Sequence, residues 1–274
     1  IQNLNQSNKK HKSNNMKKIT KLIIALTFSF ALSAQAVQDI TYFDIPTDQV
    51  GEFIQTHKKF MDATMNDERK VQGQWVYRHF YGSGASVAVF TDFANINDAV
   101  NDDPWSSFRS KWQSSNEDER KELEALGQKY ASFLVNHSDD IRSFNFENNF
   151  VGKENVDWDI PFVLVVGNYN VNKPNASIAG NAFMEWRTKP GVEKGLQLGG
   201  GYTTHFSGSG PDLQLFSGFK NIVDFAKSVS TEDVSNSEAS SAFWAEITGD
   251  HEDQIYIHVG HLVDGKFDLA GPNN

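Results

Sequence analysis

Strand-like and helix-like patterns of apolar residues alternate along this chain from about residue 40 to residue 265. Ile40 to Ile45 is a β-branched and aromatic run stopped by Pro46, which predicts a strand. Val50, Phe53, Ile54, His57, Phe60, Met61 and Met65 then recur at helical spacing, predicting a helix over about 48–65 with Thr47 as its cap. Gln74 to Tyr81 and Ala85 to Thr91 flank Gly82-Ser83-Gly84, a hairpin whose glycines supply the positive φ of a tight turn. Asn95 to Val100 begins a short helix. Leu123, Leu126, Tyr130, Phe133 and Leu134 mark a longer one over about 117–135, and Asp140 to Glu147 predicts a closing strand.

The same order then returns. His79-Phe80-Tyr81-Gly82-Ser83-Gly84 reappears as His205-Phe206-Ser207-Gly208-Ser209-Gly210, 126 positions on, and Asp92-Phe93-Ala94-Asn95-Ile96 as Gly218-Phe219-Lys220-Asn221-Ile222. Phe162 to Val166 predicts the second first strand. Phe183-Met184-Glu185 answers Phe60-Met61-Asp62, which places a helix over about 175–188 capped by Asn175, and the hairpin falls at 200–217. His251-Glu252-Asp253-Gln254-Ile255 answers His137-Ser138-Asp139-Asp140-Ile141 at a smaller offset, so copy one carries about twelve extra residues before its last strand. A duplication of this kind sets the architecture before any single element does. The copies span 37–149 and 160–274, joined by a linker over 150–159.

Each copy reads β-α-β-β-α-β, a ferredoxin-like module whose sheet carries helices on one face only. Its bare face needs cover, and a tandem pair supplies it by packing sheet to sheet about a pseudo-twofold axis. The element order, the Phe-x-Gly-Ser-Gly hairpin and the start Asp92-Phe93-Ala94-Asn95-Ile96 resemble the dimeric α+β barrel superfamily. That superfamily includes the antibiotic-biosynthesis monooxygenase-like and NIPSNAP-like families and, as fused pairs of modules, the chlorite dismutases. The resemblance covers nearly all of residues 40 to 265. It implies an α+β fold, two ferredoxin-like modules forming a fused dimeric α+β barrel, with a pocket where the modules meet. None of these motifs is a catalytic signature.

Composition narrows the chemistry. Met16-Lys17-Lys18-Ile19-Thr20-Lys21, the apolar run Leu22 to Leu32 and Ala34-Gln35-Ala36 have the form of a secretory signal over 16–36, with residues 1–15 as upstream read-through and Val37 as the mature N-terminus. The apolar run is about half the roughly 20 residues of a membrane span. Removing 1–36 takes six Lys and no acid, moving the formal charge from −10 to −16 over the remaining 238 residues. So acidic a protein is unsuited to nucleic acid or anionic membrane surfaces, and fits the periplasm or the medium. The absence of Cys excludes disulfides and thiol chemistry. Fusion of two modules supplies each sheet with its partner, so a monomer or a weak homo-oligomer is expected.

The hairpins suggest where a site lies. With two-residue turns, Phe80 shares a side with Val87 and Val89, and Phe206 with Leu213 and Leu215; this side should meet the helices. The opposite side carries Trp75, Tyr77, His79, Tyr81, Ser86, Ala88 and Phe90 in copy one, and Thr203, His205, Ser207, Asp212, Gln214 and Phe216 in copy two. A mixed aromatic and polar face of this kind suits a ligand-binding lumen. His79 and His205 are the sharpest candidates for a catalytic base or a ligand of metal or haem, against the plainer reading of a repeated turn-side histidine. Trp75 and Tyr77, answered by Gly201 and Thr203, point to copy one as the active half. Ordinary sheet packing is their plainer explanation.

Other candidates weigh less. His57 reads as a satisfied core histidine. His251, His258 and His261 with Glu252 and Asp253 resemble metal ligands, but strand alternation sends His258 and His261 to opposite faces. Arg78 and Arg142 suit a ligand carboxylate or a haem propionate, or an ordinary ion pair. Gly199-Gly200-Gly201 lacks the features of a phosphate loop and reads as a loop or bulge, and the acidic clusters at 101–103, 117–119 and 231–233 read as solvated helix-flanking charge. Three functions stay open: an exported protein that binds a small, largely apolar molecule without turnover and without a cofactor; a cofactor-free monooxygenase-like enzyme using His79 or His205 as base; and a haem protein resembling chlorite dismutase.

Overall fold

The computed structural model describes residues 35–230 and 237–271. The segments read as upstream sequence and signal peptide up to residue 34, and the acidic cluster at 231–233, lie outside them. In the first module, β1 (Ala36–Phe43), α1 (Val50–Thr64), β2 (Val71–Gly82), β3 (Val87–Phe93), α2 (Ile96–Asn101), α3 (Pro104–Ser114), α4 (Glu117–Phe133) and β4 (His137–Phe144) follow one another. The second has β5 (Val163–Val171), α5 (Ala176–Phe183), α6 (Lys189–Glu193), β6 (Gly199–Gly208), β7 (Leu213–Phe219), α7 (Ile222–Ser230), α8 (Ser237–Glu246) and β8 (Ile247–Val263), then a short β9 (Lys266–Leu269).

Within each module the first strand lies between the third and the fourth, giving β2-β3-β1-β4 and β6-β7-β5-β8. The free edges then pair across the modules, β4 with β6 and β2 with β8, and all eight strands close into an antiparallel barrel. The chain thus has the fold of a fused dimeric α+β barrel. Equivalent strands run in the same direction, so the pseudo-twofold axis follows the barrel axis and both Gly-Ser-Gly tips project from one end. Closure removes the exposed sheet edges that an isolated module would present.

Side-chain alternation sorts the core into three parts. Val76, Val87 and Val89 face out to meet Phe53, Phe60, Phe108, Tyr130 and Phe133 of the first helical layer. Leu213 and Leu215, with Tyr202 of β6, meet Ala179, Met184 and Phe243 of the second. Ile40, Tyr77, Ala88, Phe90, Leu164, Val166 and Tyr256 face into the barrel. Phe53 and Phe60 are almost wholly buried, each contributing roughly 1.5–3 kcal/mol. Phe267 of β9 also joins the first helical layer, set edge-on to His57 at 5.2 Å.

Several local expectations change. Strand β1 begins at Ala36, and β4 occupies His137–Phe144 because Asn145 starts a new turn. Thr47 opens a 3₁₀ turn after Pro46 instead of capping α1, whereas Asn116 caps α4 in a full capping box with Glu119. Asn175 makes no cap bond, its amide donating to Glu246, and α5 continues through a π-helical turn, Met184–Thr188. Phe80 and Phe206, expected against the helices, are half exposed. Gly199, Gly200 and Gly201 are strand, not loop: a Cβ on Gly201 would stand 2.5 Å from the Asn149 carbonyl, so glycine lets the inter-module segment lie against β6.

Candidate functional site

The lumen divides into two ends of opposite character. Away from the hairpin tips lies a cavity of about 240 Å³ walled by Trp75, Tyr77, Phe90, Phe144, Phe162 and Phe216. Phe146, Phe150 and Trp158, from the segment joining the modules, complete it. Gly218 also faces it, and a Cβ there would meet nothing nearer than 3.7 Å. Gln38 and Asp92 are the non-aromatic polar residues of this lining, the Gln38 amide donating to the Asp92 carboxylate at 2.8 Å. Burial pushes the Asp92 carboxyl up to about 6, against the opposing pull of the Gln38 hydrogen bond. Burial also raises the Tyr77 phenol above its ordinary value.

The hairpin end is a packed polar plug. Arg142 is fully buried, donating to Asp140 at 2.6 Å and to the hydroxyl and carbonyl of Thr203. Gln214 donates to the Tyr42 hydroxyl and to Asn168, and the Tyr256 hydroxyl donates to Gln254. His205 Nδ1 stands 3.5 Å from Asp140, and the His79 ring meets Tyr256 edge-on at 5.7 Å.

Of the residues singled out in sequence, Trp75, Tyr77, Phe90 and Phe216 come together around the aromatic cavity. Thr203 and Gln214 are buried in the polar plug, and neither His79 nor His205 is among the cavity's lining residues. Tyr81 is 71% exposed at a hairpin tip. Asp212 accepts from the Val171 amide and pairs with Lys173 at the far end of the hairpin. Arg78 is exposed, while Arg142 is the buried ion pair described above.

His258 and His261 are not on opposite faces. A β-bulge at Val259, where the register against β2 slips between Val76 and Tyr77, puts both on one side, with ring centroids 5.1 Å apart. His261 stacks on Trp75 at 4.6 Å and approaches Asp159, and His258 stacks on Phe162 and reaches the Ile160 carbonyl. Burial lowers both imidazoles, His258 to about 4. The pair therefore braces the segment that covers the cavity. Among the described residues no group of three or more His, Asp or Glu is placed to hold a metal ion.

A second cavity, of about 270 Å³, lies on the helical side of the first module and is lined by Asp39, His57, Gln74, Thr91, Trp105 and Tyr130, among others. His57 is held by the Tyr130 hydroxyl at 3.2 Å and Gln74 at 2.8 Å. It is the satisfied core histidine expected, and burial lowers it to about 4.

No family model and no curated protein matches the chain. Solved structures do. A protein described as a candidate monooxygenase from Lactobacillus acidophilus superposes with a TM-score of 0.54 at 10% identity, covering 86% of this chain and 97% of that one. An anthrone oxidase-like protein gives 0.55 at 12%, covering 88% and 98%. A second candidate monooxygenase, from Fusobacterium nucleatum, gives 0.53 at 13%, covering 88% and 100%. At such identities the likeness establishes the shared barrel fold. No helix among the described residues is long and apolar enough to cross a membrane.

Proposed function

We propose that the protein binds a small, planar, largely apolar molecule in the aromatic cavity of the barrel, with Gln38 and Asp92 engaging its one polar group. The observation that carries this reading is the cavity itself: rings on nearly every side and a single hydrogen-bonded polar pair in the wall. An apolar body aligned by few polar contacts is the usual form of small-molecule recognition. Anthrone, the compound in the name of one relative, is a suitable probe. Titrating it into the protein should quench tryptophan emission through Trp75 and Trp158; an unchanged spectrum at millimolar anthrone would count against the reading.

A second reading, a cofactor-free monooxygenase-like enzyme, is favoured by one observation, the position of Asp92. A carboxylate lifted to about 6 inside an apolar cavity is matched to taking a proton from a weakly acidic ligand near neutral pH. His79 and His205 belong to the opposite end, so the base in this reading is Asp92. Oxygen uptake with anthrone, abolished in Asp92→Asn, separates an enzyme from a binding protein.

The haem reading is the least supported: an axial ligand must face the group, and neither His79 nor His205, the two candidate ligands, is in the lining of the aromatic cavity. The charged and apolar segments over 16–36 support export with a mature N-terminus near Val37, which N-terminal sequencing of the protein from its host would test. The fused second module, 160–274, completes the barrel for the first, 37–149, which supports a monomer or a weak homo-oligomer.

A further inference from the structure

On the helix-facing side of the first module, Gln74, Thr91 and Asp39 stand in one row across β2, β3 and β1. Gln74 donates to the Thr91 hydroxyl and is itself bonded by His57, which is bonded by Tyr130 of α4. Such a row is unexpected between a sheet and its helices, where apolar residues normally meet, and here it borders the second cavity. The other module shows what the fold does without it. The register equivalents there are Gly200, Ser217 and Val165, and Gly180 replaces His57. The Tyr202 ring fills the space so closely that a Cβ on Gly180 would lie 2.5 Å from it. The same fold closes this space in one copy and keeps it in the other.

The charges bordering the space are unbalanced. Arg69 is spent on Asp102, held through two nitrogens, and on Thr64. Burial keeps His57 neutral at ordinary pH. Asp39 has no such counter-charge: Asp139 and Asp140 lie near enough to repel it, and its Oδ1 is buried with no hydrogen-bond partner among the described residues. His137 pairs with Asp139 at the cavity's outer rim. The rest of the lining is mixed, polar groups such as Gln74 and Thr91 alternating with the rings of Phe60, Trp105 and Tyr130. Asp39 is the carboxylate of this lining without a cationic partner, and a cavity that offers such a carboxylate together with aromatic rings selects an ammonium over a neutral molecule of the same shape.

We propose that this helix-side cavity is a second binding site, distinct from the lumen, for a small organic cation, with the Asp39 carboxylate as counter-ion and the Trp105 and Tyr130 rings as walls. It is independent of what the lumen binds.

Calorimetric titration with benzylammonium at pH 7.5, beside its neutral counterpart benzyl alcohol, tests it. Saturable binding of benzylammonium is expected, with benzyl alcohol at least tenfold weaker. Asp39→Asn should weaken benzylammonium at least tenfold at undiminished Tm, because it removes a carboxylate that burial and its neighbours disfavour. Gly218→Leu, which fills the lumen cavity instead, should leave benzylammonium binding unchanged. No saturation up to 10 mM, equal binding of the alcohol, full affinity in Asp39→Asn, or loss of binding in Gly218→Leu would each overturn the assignment. The comparison of the two probes needs no variant, so it stands even if a substituted chain fails to fold.

Discussion

Arg142 donates to Asp140 at 2.6 Å in the barrel wall, with both side chains shut away from solvent. At the matching place in the other seam, register puts Gln254 opposite Val166 as Asp140 is opposite Ile40, and Tyr256 opposite His79 as Arg142 is opposite His205. One seam is thus ionic and its twin neutral. Removing one partner of a buried pair strands the other charge at about 3–5 kcal/mol. Arg142→Leu should lose that much in urea denaturation, and the double variant Asp140→Gln/Arg142→Tyr, which copies the neutral seam, should recover most of it. A double variant as unstable as the single would contradict this.

Asp92 gives a stability signature of definite sign. Its folded pKa, about 6, lies above the ordinary 3.8, so the folded state holds the proton more tightly. This contribution is present below about pH 4 and is lost as pH rises through 6. Asp92→Asn should therefore match wild type near pH 4 and exceed it at pH 8, by up to about 3 kcal/mol for a two-unit shift. Thermal unfolding at the two pH values measures it, and an unchanged difference would show that Asp92 is not desolvated.

The histidines act in the opposite sense. His57 and His258, both depressed to about 4, must stay neutral in the fold, so their stabilisation is full above pH 6.5 and fades as pH falls toward 4. His258 has Phe144 as its counterpart in copy one. His258→Phe should lose less stability than wild type between pH 6.5 and 4, and the difference in Tm between the two chains isolates this contribution from the opposing carboxylates.

Gly180 supports Tyr202 in the second module. Gly180→Ala places a methyl against the ring, with little space to relieve it, and should destabilise by about 1–3 kcal/mol, as overpacked cores do. A neutral or raised midpoint would show that the Tyr202 ring can move aside.

Much of this was legible in the residues themselves. The recurrence of His79 to Gly84 at His205 to Gly210 gave the duplication, and the alternation Tyr77, Val76 and Ala88, Val89 sorted lumen from helical side. The site is less legible. Asp92 continues the inward series Ala88, Phe90, but its partner Gln38 is 54 residues away and only the closed sheet joins them. Trp158 and Phe150 sit in a joint with no periodicity, so nothing local announced that they cover a cavity. The Val259 bulge is an extra residue in an otherwise regular strand; strict alternation placed His258 and His261 apart, and only pairing with β2 reveals the slip.

Filling the lumen tests the central claim most directly. A Gly218 side chain would meet ordinary contact distances at its Cβ and extend into the aromatic cavity, so Gly218→Leu should fold with a Tm at or above that of wild type. Anthrone binding, followed by tryptophan quenching, should be saturable in wild type and lost in this variant. Equal affinity in the two chains would place the ligand elsewhere and contradict a barrel lumen built to hold it.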